Sequence, residues 1–267
     1  MARALIGGLL RQSVAPERIA VGEPDAETRT RLQRELRVAV SPDNGQAARG
    51  ADLLVLAVKP QQAAAALRAL SDVLTRTRPL LVSIAAGLRI KDLRAACPAG
   101  TAIVRAMPNR PALVGAGVTG MFAAAEVGAT QRQLADLIGR ASGCAVWVQA
   151  EAELDIVTAL SGSGPAYFFL LAEEMARAGE QLGLAPETAQ SLAAGTLYGA
   201  GLLAREGGSL AEQRSAVTSR GGTTEAALRV LIRGGFSQLV AHAIAAGAAR
   251  SVELAGALSA APADAPK

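Results

Sequence analysis

Aromatic residues are scarce, making up 3% of the 267-residue chain. A surface for single-stranded nucleic acid needs rings on which bases stack, so this composition argues against one. It also requires an aliphatic core, built from the Ala, Leu and Val of a chain that is 51% hydrophobic. No lysine–arginine run stands out, and the net charge of +4 reads as solvated surface rather than a polyanion footprint. No nucleic-acid partner is expected. Histidine occurs once, as His242 in the helical stretch SQLVAHAIAAGAARS. With no partners in view it builds neither a zinc site nor a Ser–His pair, and no metal is expected. The two cysteines, Cys97 and Cys144, lack a metal-ligand spacing and are expected to be buried thiols in a reducing cytosol. No apolar run approaches the ~20 uninterrupted residues of a membrane span, and the N-terminus lacks the parts of a signal peptide. These absences point to a cytoplasmic protein with no membrane partner.

What is present alternates through the first half. MARALIGGLL reads as a helix, with apolar residues at three-and-four spacing. RIAV (18–21) and RVAV (37–40) flank a polar-faced helix, DAETRTRLQREL (25–36). ADLLVLAVKP (51–60) and PLLVSIAAG (79–87) read as fully buried strands around the helix QQAAAALRALSDVL. TAIVRAMPN (101–109), GVTGMF (117–122) and CAVWVQ (144–149) are further strands, with TQRQLADLIGRAS as a helix between the last two. Strands alternating with helices predict a parallel, doubly wound α/β sheet. From residue 151 no strand is visible. Helical periods over 151–160, 165–182, 186–204, 209–218, 224–233 and 236–256 predict an all-α second domain. The boundaries drawn are 1–150, 151–258 and a disordered Ala/Pro-rich tail at 259–267.

Four stretches carry candidate chemistry. In doubly wound folds an acid at the end of the second strand binds the adenosine ribose and repels an extra phosphate. Glu23 fits that position and reads equally as an ordinary loop acid. In AVKPQ (57–61), Val58, Lys59 and Pro60 end a strand at the carboxyl edge of the sheet, where ligands of open α/β sheets bind. Lys59 reads equally as an exposed strand-end lysine. ALSGSGPAYFFLLAEEM (159–175) starts a helix, with Ser163 placed to cap and Pro165 suited to the first turn. A serine-hydrolase elbow is excluded there, because Pro165 stands where that motif needs glycine. The phenylalanines and tyrosine of this stretch suggest a packing interface. In VTSRGGTTEAALRVL (217–231), Gly221, Gly222, Thr223 and Thr224 open a helix whose exposed N–H groups favour a carboxylate. The same residues also read as a plain helix start.

In order, MARALIGGLL, AVKPQ, LVSIAAGLRI, RAMPN, SGSGPAYFFLLAEEM and VTSRGGTTEAAL resemble the pyrroline-5-carboxylate reductases over nearly the whole chain. The resemblance implies reduction of 1-pyrroline-5-carboxylate, a cyclic imino acid, to L-proline with NADH or NADPH. It implies a Rossmann-like domain followed by a helical dimerisation and substrate domain that interlocks two subunits, with dimers often assembled into rings. By resemblance Gly221, Gly222, Thr223 and Ser163 belong to the substrate site, and Thr224 hydrogen-bonds the ring nitrogen as the catalytic contact. Val58, Lys59 and Pro60 line the cofactor, and Met107, Pro108 and Asn109 lie near the nicotinamide.

The chain departs from the family pattern in four places. Arg220 stands where proline usually precedes the double glycine. Arg110 stands where threonine usually follows Met-Pro-Asn. Glu23-Pro24 stands where many members carry Asn-Arg for a ribose phosphate. Lastly, Met1 aligns with the methionine inside the family's Gly-x-Gly-Asn-Met-Ala, so the first strand and most of the glycine turn are expected upstream of a start assigned too late. Two alternatives stay open. One is a β-hydroxyacid dehydrogenase-like enzyme, disfavoured because no lysine lies between Pro165 and Leu182. The other is a non-enzymatic dimer that keeps the fold.

Overall fold

The structure, a computed structural model, describes residues 1–260. These form two compact units, Met1–Gly162 together with the chain from Gly247 onward, and Ser163–Ala246. The first unit runs α1 (Ala2–Arg11), β1 (Ala20–Gly22), α2 (Ala26–Leu36), β2 (Ala39–Ser41), α3 (Asn44–Ala47), β3 (Leu53–Leu56), α4 (Pro60–Ala69), α5 (Ser71–Arg76), β4 (Leu80–Ser83), α6 (Ile90–Arg94), β5 (Ile103–Pro108), β6 (Gly117–Ala123), α7 (Ala129–Arg140), β7 (Gly143–Trp147) and α8 (Glu153–Val157). A π-helical turn, Thr158–Gly162, follows α8. The second unit holds α9 (Gly164–Gln181), α10 (Pro186–Arg205), α11 (Leu210–Ala216) and α12 (Thr223–Arg233). The last helix, α13 (Phe236–Ala260), begins in the second unit and ends in the first.

The strands form two sheets, β1–β2 and β3–β4–β5–β6–β7, and no strand among the described residues joins β1 to β3. All neighbours are parallel except β5 and β6. The sequence pattern suggested parallel strands throughout. Only a short 3₁₀ segment, Arg110–Val114, lies between β5 and β6, and a parallel crossover needs a dozen or more residues. The chain therefore turns back. Between β6 and β7, α7 supplies a full crossover, and the pairing is parallel again.

Core packing follows the two faces of the larger sheet. Leu67, Leu81, Leu93 and Ile103 bury together on one side; Leu80, Val82, Val104, Met121 and Ala135 do so on the other. The apolar stripe of α1 works as read, with Leu5 and Leu9 packed against Ile138 and Ala141 at the end of α7. Gly120 is forced by packing, since a Cβ there would lie 2.4 Å from Cγ1 of Val157. Helix α8 thus rests directly on the β5–β6 pair.

Three expectations change. The run at 51–60 has the composition of a buried strand, yet β3 pairs only with β4, and Val55 is 36% exposed. Cys144 is exposed, because it sits on the outer face of the edge strand β7; Cys97 is half-buried, and burial pushes its thiol up to about 11. Ser259 and Ala260, assigned to a disordered tail, complete α13, where Ser259 Oγ donates to Asp92 Oδ2 at 2.9 Å; the rest of that tail lies outside the described residues. Among the described residues the helical stretch Glu153–Gln181 is long and apolar enough by length and composition to cross a membrane, although Glu153, Asp155, Glu173 and Glu174 interrupt its apolar run. Its apolar window is only 22% buried.

Candidate active site

Each loop of the first unit singled out in the sequence lies at the carboxyl end of a strand. Gly22 ends β1, and the Glu23 N–H continues the ladder by donating to the Ser41 carbonyl at 2.9 Å. The Glu23 carboxylate folds back along the turn, and its Oε1 accepts the Asp25 N–H at 3.0 Å. Asp25 then caps α2, its Oδ2 accepting the Thr28 N–H at 2.7 Å, and these bonds hold its carboxyl below the usual carboxylate range. Arg29 Nη1 reaches back to donate to the carbonyls of Glu23 (2.8 Å) and Pro24 (2.6 Å). The turn is thus braced on both sides, and Glu23 is half-buried there.

Val58 and Lys59 connect β3 to α4, which Pro60 opens at its first position. Proline suits that place because its fixed φ is helical and the N–H it lacks would be unpaired anyway. Lys59 makes no side-chain capping bond and is exposed, so the N-terminus of α4 stays open to a ligand.

At the end of β5, Met107 is half-buried, while Pro108 and Asn109 are buried. The Asn109 side chain is fully engaged within the protein. Its Oδ1 accepts the Val118 N–H at 2.8 Å, and its Nδ2 donates to the Ser161 carbonyl at 3.1 Å and, more weakly, to Ser161 Oγ at 3.4 Å. Further back along the same face lie two ion pairs that no sequence motif marks. Arg105 Nη1 meets Glu151 Oε1 at 2.8 Å, and Arg89 Nη2 meets Asp155 Oδ2 at 2.6 Å. Glu151 Oε1 also accepts the Ile90 N–H at 2.7 Å, and Asp155 Oδ1 accepts Ser251 Oγ–H at 2.7 Å. Burial pulls the Arg105 guanidinium below its ordinary value, against the pull of Glu151. An arginine inside an otherwise apolar strand, IVRAMP, was the available signal, because a buried cation demands a partner.

The second unit holds the other candidates. Ser163 precedes α9 but makes no capping bond: its backbone is already helical, as the π-turn runs straight into α9. Its side chain is exposed. The pair Gly221–Gly222 turns the chain into α12. Gly221 has φ +74°, in the left-handed region that favours glycine. Gly222 is the N-cap and has no side chain to cap with, so the first N–H groups of α12 are left without a side-chain acceptor. Thr224 sits half-buried in that first turn. Glu225 was missed in the sequence; its Oε2 accepts the Gly221 N–H at 2.8 Å and lies 3.6 Å from Arg229 Nη2. An acid at the third helical position is the usual partner of an N-terminal turn, and that spacing was legible. Arg110 and Arg220 are both exposed.

A mostly parallel α/β unit with an acid and open loops at the carboxyl ends of its strands, joined to an all-helical unit, is the layout of two-domain nicotinamide-dependent oxidoreductases. Known proteins narrow this. Residues 151–254 match the family described as pyrroline-5-carboxylate reductase dimerisation, and residues 1–87 match NADP oxidoreductase, coenzyme F420-dependent. The pyrroline-5-carboxylate reductase of Pseudomonas aeruginosa is 44% identical over 96% of this chain and 93% of its own. That of Haemophilus influenzae is 42% identical over 95% of this chain and 94% of its own. The solved reductase from Coxiella burnetii superposes with a TM-score of 0.92 at 40% identity, covering 95% of this chain and 94% of that one. The chain belongs to the pyrroline-5-carboxylate reductase family.

Proposed function

We propose that the chain reduces 1-pyrroline-5-carboxylate to L-proline with NAD(P)H, the last step of proline synthesis, and that Thr224 and the start of α12 hold the substrate. Supporting this reading is the uncapped first turn of α12, which offers N–H groups and a positive dipole end to a carboxylate. The Thr224 hydroxyl lies in the same turn and donates to the ring nitrogen. Gly221, Gly222 and Thr223 shape the carboxylate cradle, and Ser163 adds an uncommitted hydroxyl. A cyclic imine is already electrophilic, so the protein's main work is to hold it and exclude water.

The dinucleotide fits the loops of the first unit. Glu23, braced at the end of β1, offers a carboxylate oxygen to the two ribose hydroxyls. Val58, Lys59 and Pro60 lie along the dinucleotide at the open start of α4, and Met107, Pro108 and Asn109 flank the nicotinamide. The bound cofactor supplies a hydride to the imine carbon. Glu23 favours NADH, since an acid at the ribose repels a 2′-phosphate. A related reductase from Plasmodium falciparum, 28% identical and with a TM-score of 0.78, is described with NADP bound, so the preference has to be measured on this chain.

Residues 1–150 form the dinucleotide domain in this reading, and 151–258 the substrate and dimerisation domain. A second copy covers the apolar helices of the latter, and dimers assemble further into rings. The protein works in the cytoplasm. The test is NADH oxidation followed optically with pyrroline-5-carboxylate, in the wild type and in Thr224→Ala. Wild-type turnover that the variant retains in full removes Thr224 from the site.

A further inference from the structure

Strand alternation places Arg105, Met107 and Asn109 on one face at the end of β5. On the neighbouring strand the partners of the first two are Phe122 and Gly120. This face carries the whole 151–162 segment. At one end Arg105 is paired with Glu151. In the middle Val157 sits over Gly120, and a Cβ on Gly162 would lie 3.0 Å from the Met107 methyl carbon. At the other end Asn109 holds Ser161. Helix α8 and the π-turn are therefore pinned on either side, by Arg105 of β5 through Glu151 and by Asn109 just past the end of β5 through Ser161.

The pin at Asn109 differs in kind from the one at Arg105. A π-turn is an uncommon conformation that recurs at functional sites, and this one, Thr158–Gly162, is held by a side chain from outside its own helix. The position needs an acceptor for the Val118 N–H and a donor for the Ser161 carbonyl at once. Among side chains of this size, only an amide supplies both. With 7% of its surface exposed and its amide committed to these bonds, Asn109 has little left to offer a ligand.

We infer that Asn109 is a positioning residue for hydride transfer: it fixes the π-turn Thr158–Gly162 to the end of β5 and does not bind the cofactor through its side chain. The inference rests on the reading that the Met107–Asn109 loop flanks the nicotinamide. Loosening the tether lets that loop and the turn drift apart, and displacements of about 1 Å near reacting atoms cost up to 10²-fold in rate.

The test is Asn109→Asp, which keeps the shape and the acceptor for Val118 but sets a carboxylate oxygen against the Ser161 carbonyl. Asn109→Ala serves as the second variant should the buried charge prevent folding. Three quantities are read: kcat with pyrroline-5-carboxylate, the NADH dissociation constant by fluorescence, and deuterium exchange of the peptide covering 154–163. The expected result is a fall in kcat of about tenfold or more, NADH affinity within about twofold of wild type, and faster exchange of the peptide. Ser161→Ala, which removes only the weak 3.4 Å contact, stays close to wild type. A tenfold loss of NADH affinity with kcat retained at saturation overturns the inference in favour of a direct cofactor contact. Unchanged exchange, or faster exchange with kcat unchanged, overturns it as well. Exchange needs no turnover, so a wild type inactive on pyrroline-5-carboxylate counts against the functional reading alone and leaves the tether to be judged by exchange.

Discussion

The two units bury their apolar residues to opposite degrees. In the first, Leu67, Leu80, Val82, Ile103, Val104 and Met121 are fully enclosed. In the second, Phe168 is 60% exposed, Phe169 62%, Leu170 57%, Tyr198 70% and Val230 72%. Helices α9 and α10 bury only Gly164, Ala189 and Ala193, all small. An apolar surface this extensive marks an interaction site, and the family match to a dimerisation domain over residues 151–254 names the partner as a second copy. One region closes its core within a single chain; the other needs two chains. The membrane-like composition of Glu153–Gln181 has the same origin, because a helix covered by a partner is apolar over most of its surface.

The largest expected effect breaks the second region and spares the first. Leu170→Asp places a charge in the subunit interface, where an unpaired buried charge costs several kcal/mol. The dimer dissociation constant rises by about 10³-fold or more, roughly 4 kcal/mol, and sedimentation at micromolar concentration shows monomer. A variant that remains a dimer puts α9 outside the interface. The converse perturbation is Ile103→Ala, at a fully buried position. Removing those methyl groups costs about 2–5 kcal/mol by transfer and cavity terms. Urea unfolding measures it, and a loss under about 1 kcal/mol would mean that the sheet core is looser than its packing.

Smaller effects separate the two regions by role. Thr224→Ala lowers kcat by about 10–100-fold, roughly 1.5–3 kcal/mol for one donor in a dry site. NADH affinity stays unchanged if the residue belongs to the proposed substrate set, and a loss of NADH affinity contradicts that placement. Glu23→Ser acts only on the cofactor, raising kcat/KM for NADPH relative to NADH by about fivefold, near 1 kcal/mol for like charges in a solvated setting. A wild type that already prefers NADPH by about tenfold shows that Glu23 does not face the ribose. The last effect lies within the first unit and leaves activity alone. With its thiol near 11, Cys97 is almost wholly protonated at pH 8 and reacts slowly with alkylating agents, which attack the thiolate. The exposed Cys144 is labelled first. Because burial raises the Cys97 value above that of an unfolded thiol, native stability declines as pH climbs past about 9 toward 11. Equal labelling rates at pH 8 contradict this ordering.

The backbone of the candidate loops was legible in the sequence, but not how their side chains are used. AVKPQ marked the open start of α4, and Gly221–Gly222 the turn into α12, because proline and glycine impose backbone geometry locally. Ser163 looked like a cap, since serine before proline at a helix start usually is one. The π-turn behind it could not be read, because the side chain that bonds to it, Asn109, lies 52 residues away. Arg105 and Glu151, and Arg89 and Asp155, were equally invisible as pairs. Charges separated by 46 and 66 positions meet only once the sheet exists.

The sequence by itself determined the order and kind of the elements. Short continuous apolar runs and apolar periods of 3.6 placed the seven strands and the long helices of the described residues near their observed bounds, because both patterns are set within single segments. It missed α3 and α6, of four and five residues, which are too short to show a period. The tertiary structure decided whatever depends on two segments meeting. That includes the reversed direction of β6, the edge position of β3, the exposure of Cys144, and the distant partners of Arg89, Arg105 and Asn109. Periodicity records which face of a segment avoids water. Which neighbour covers that face is settled only when the segments pack, and in the helical unit that neighbour belongs to another chain.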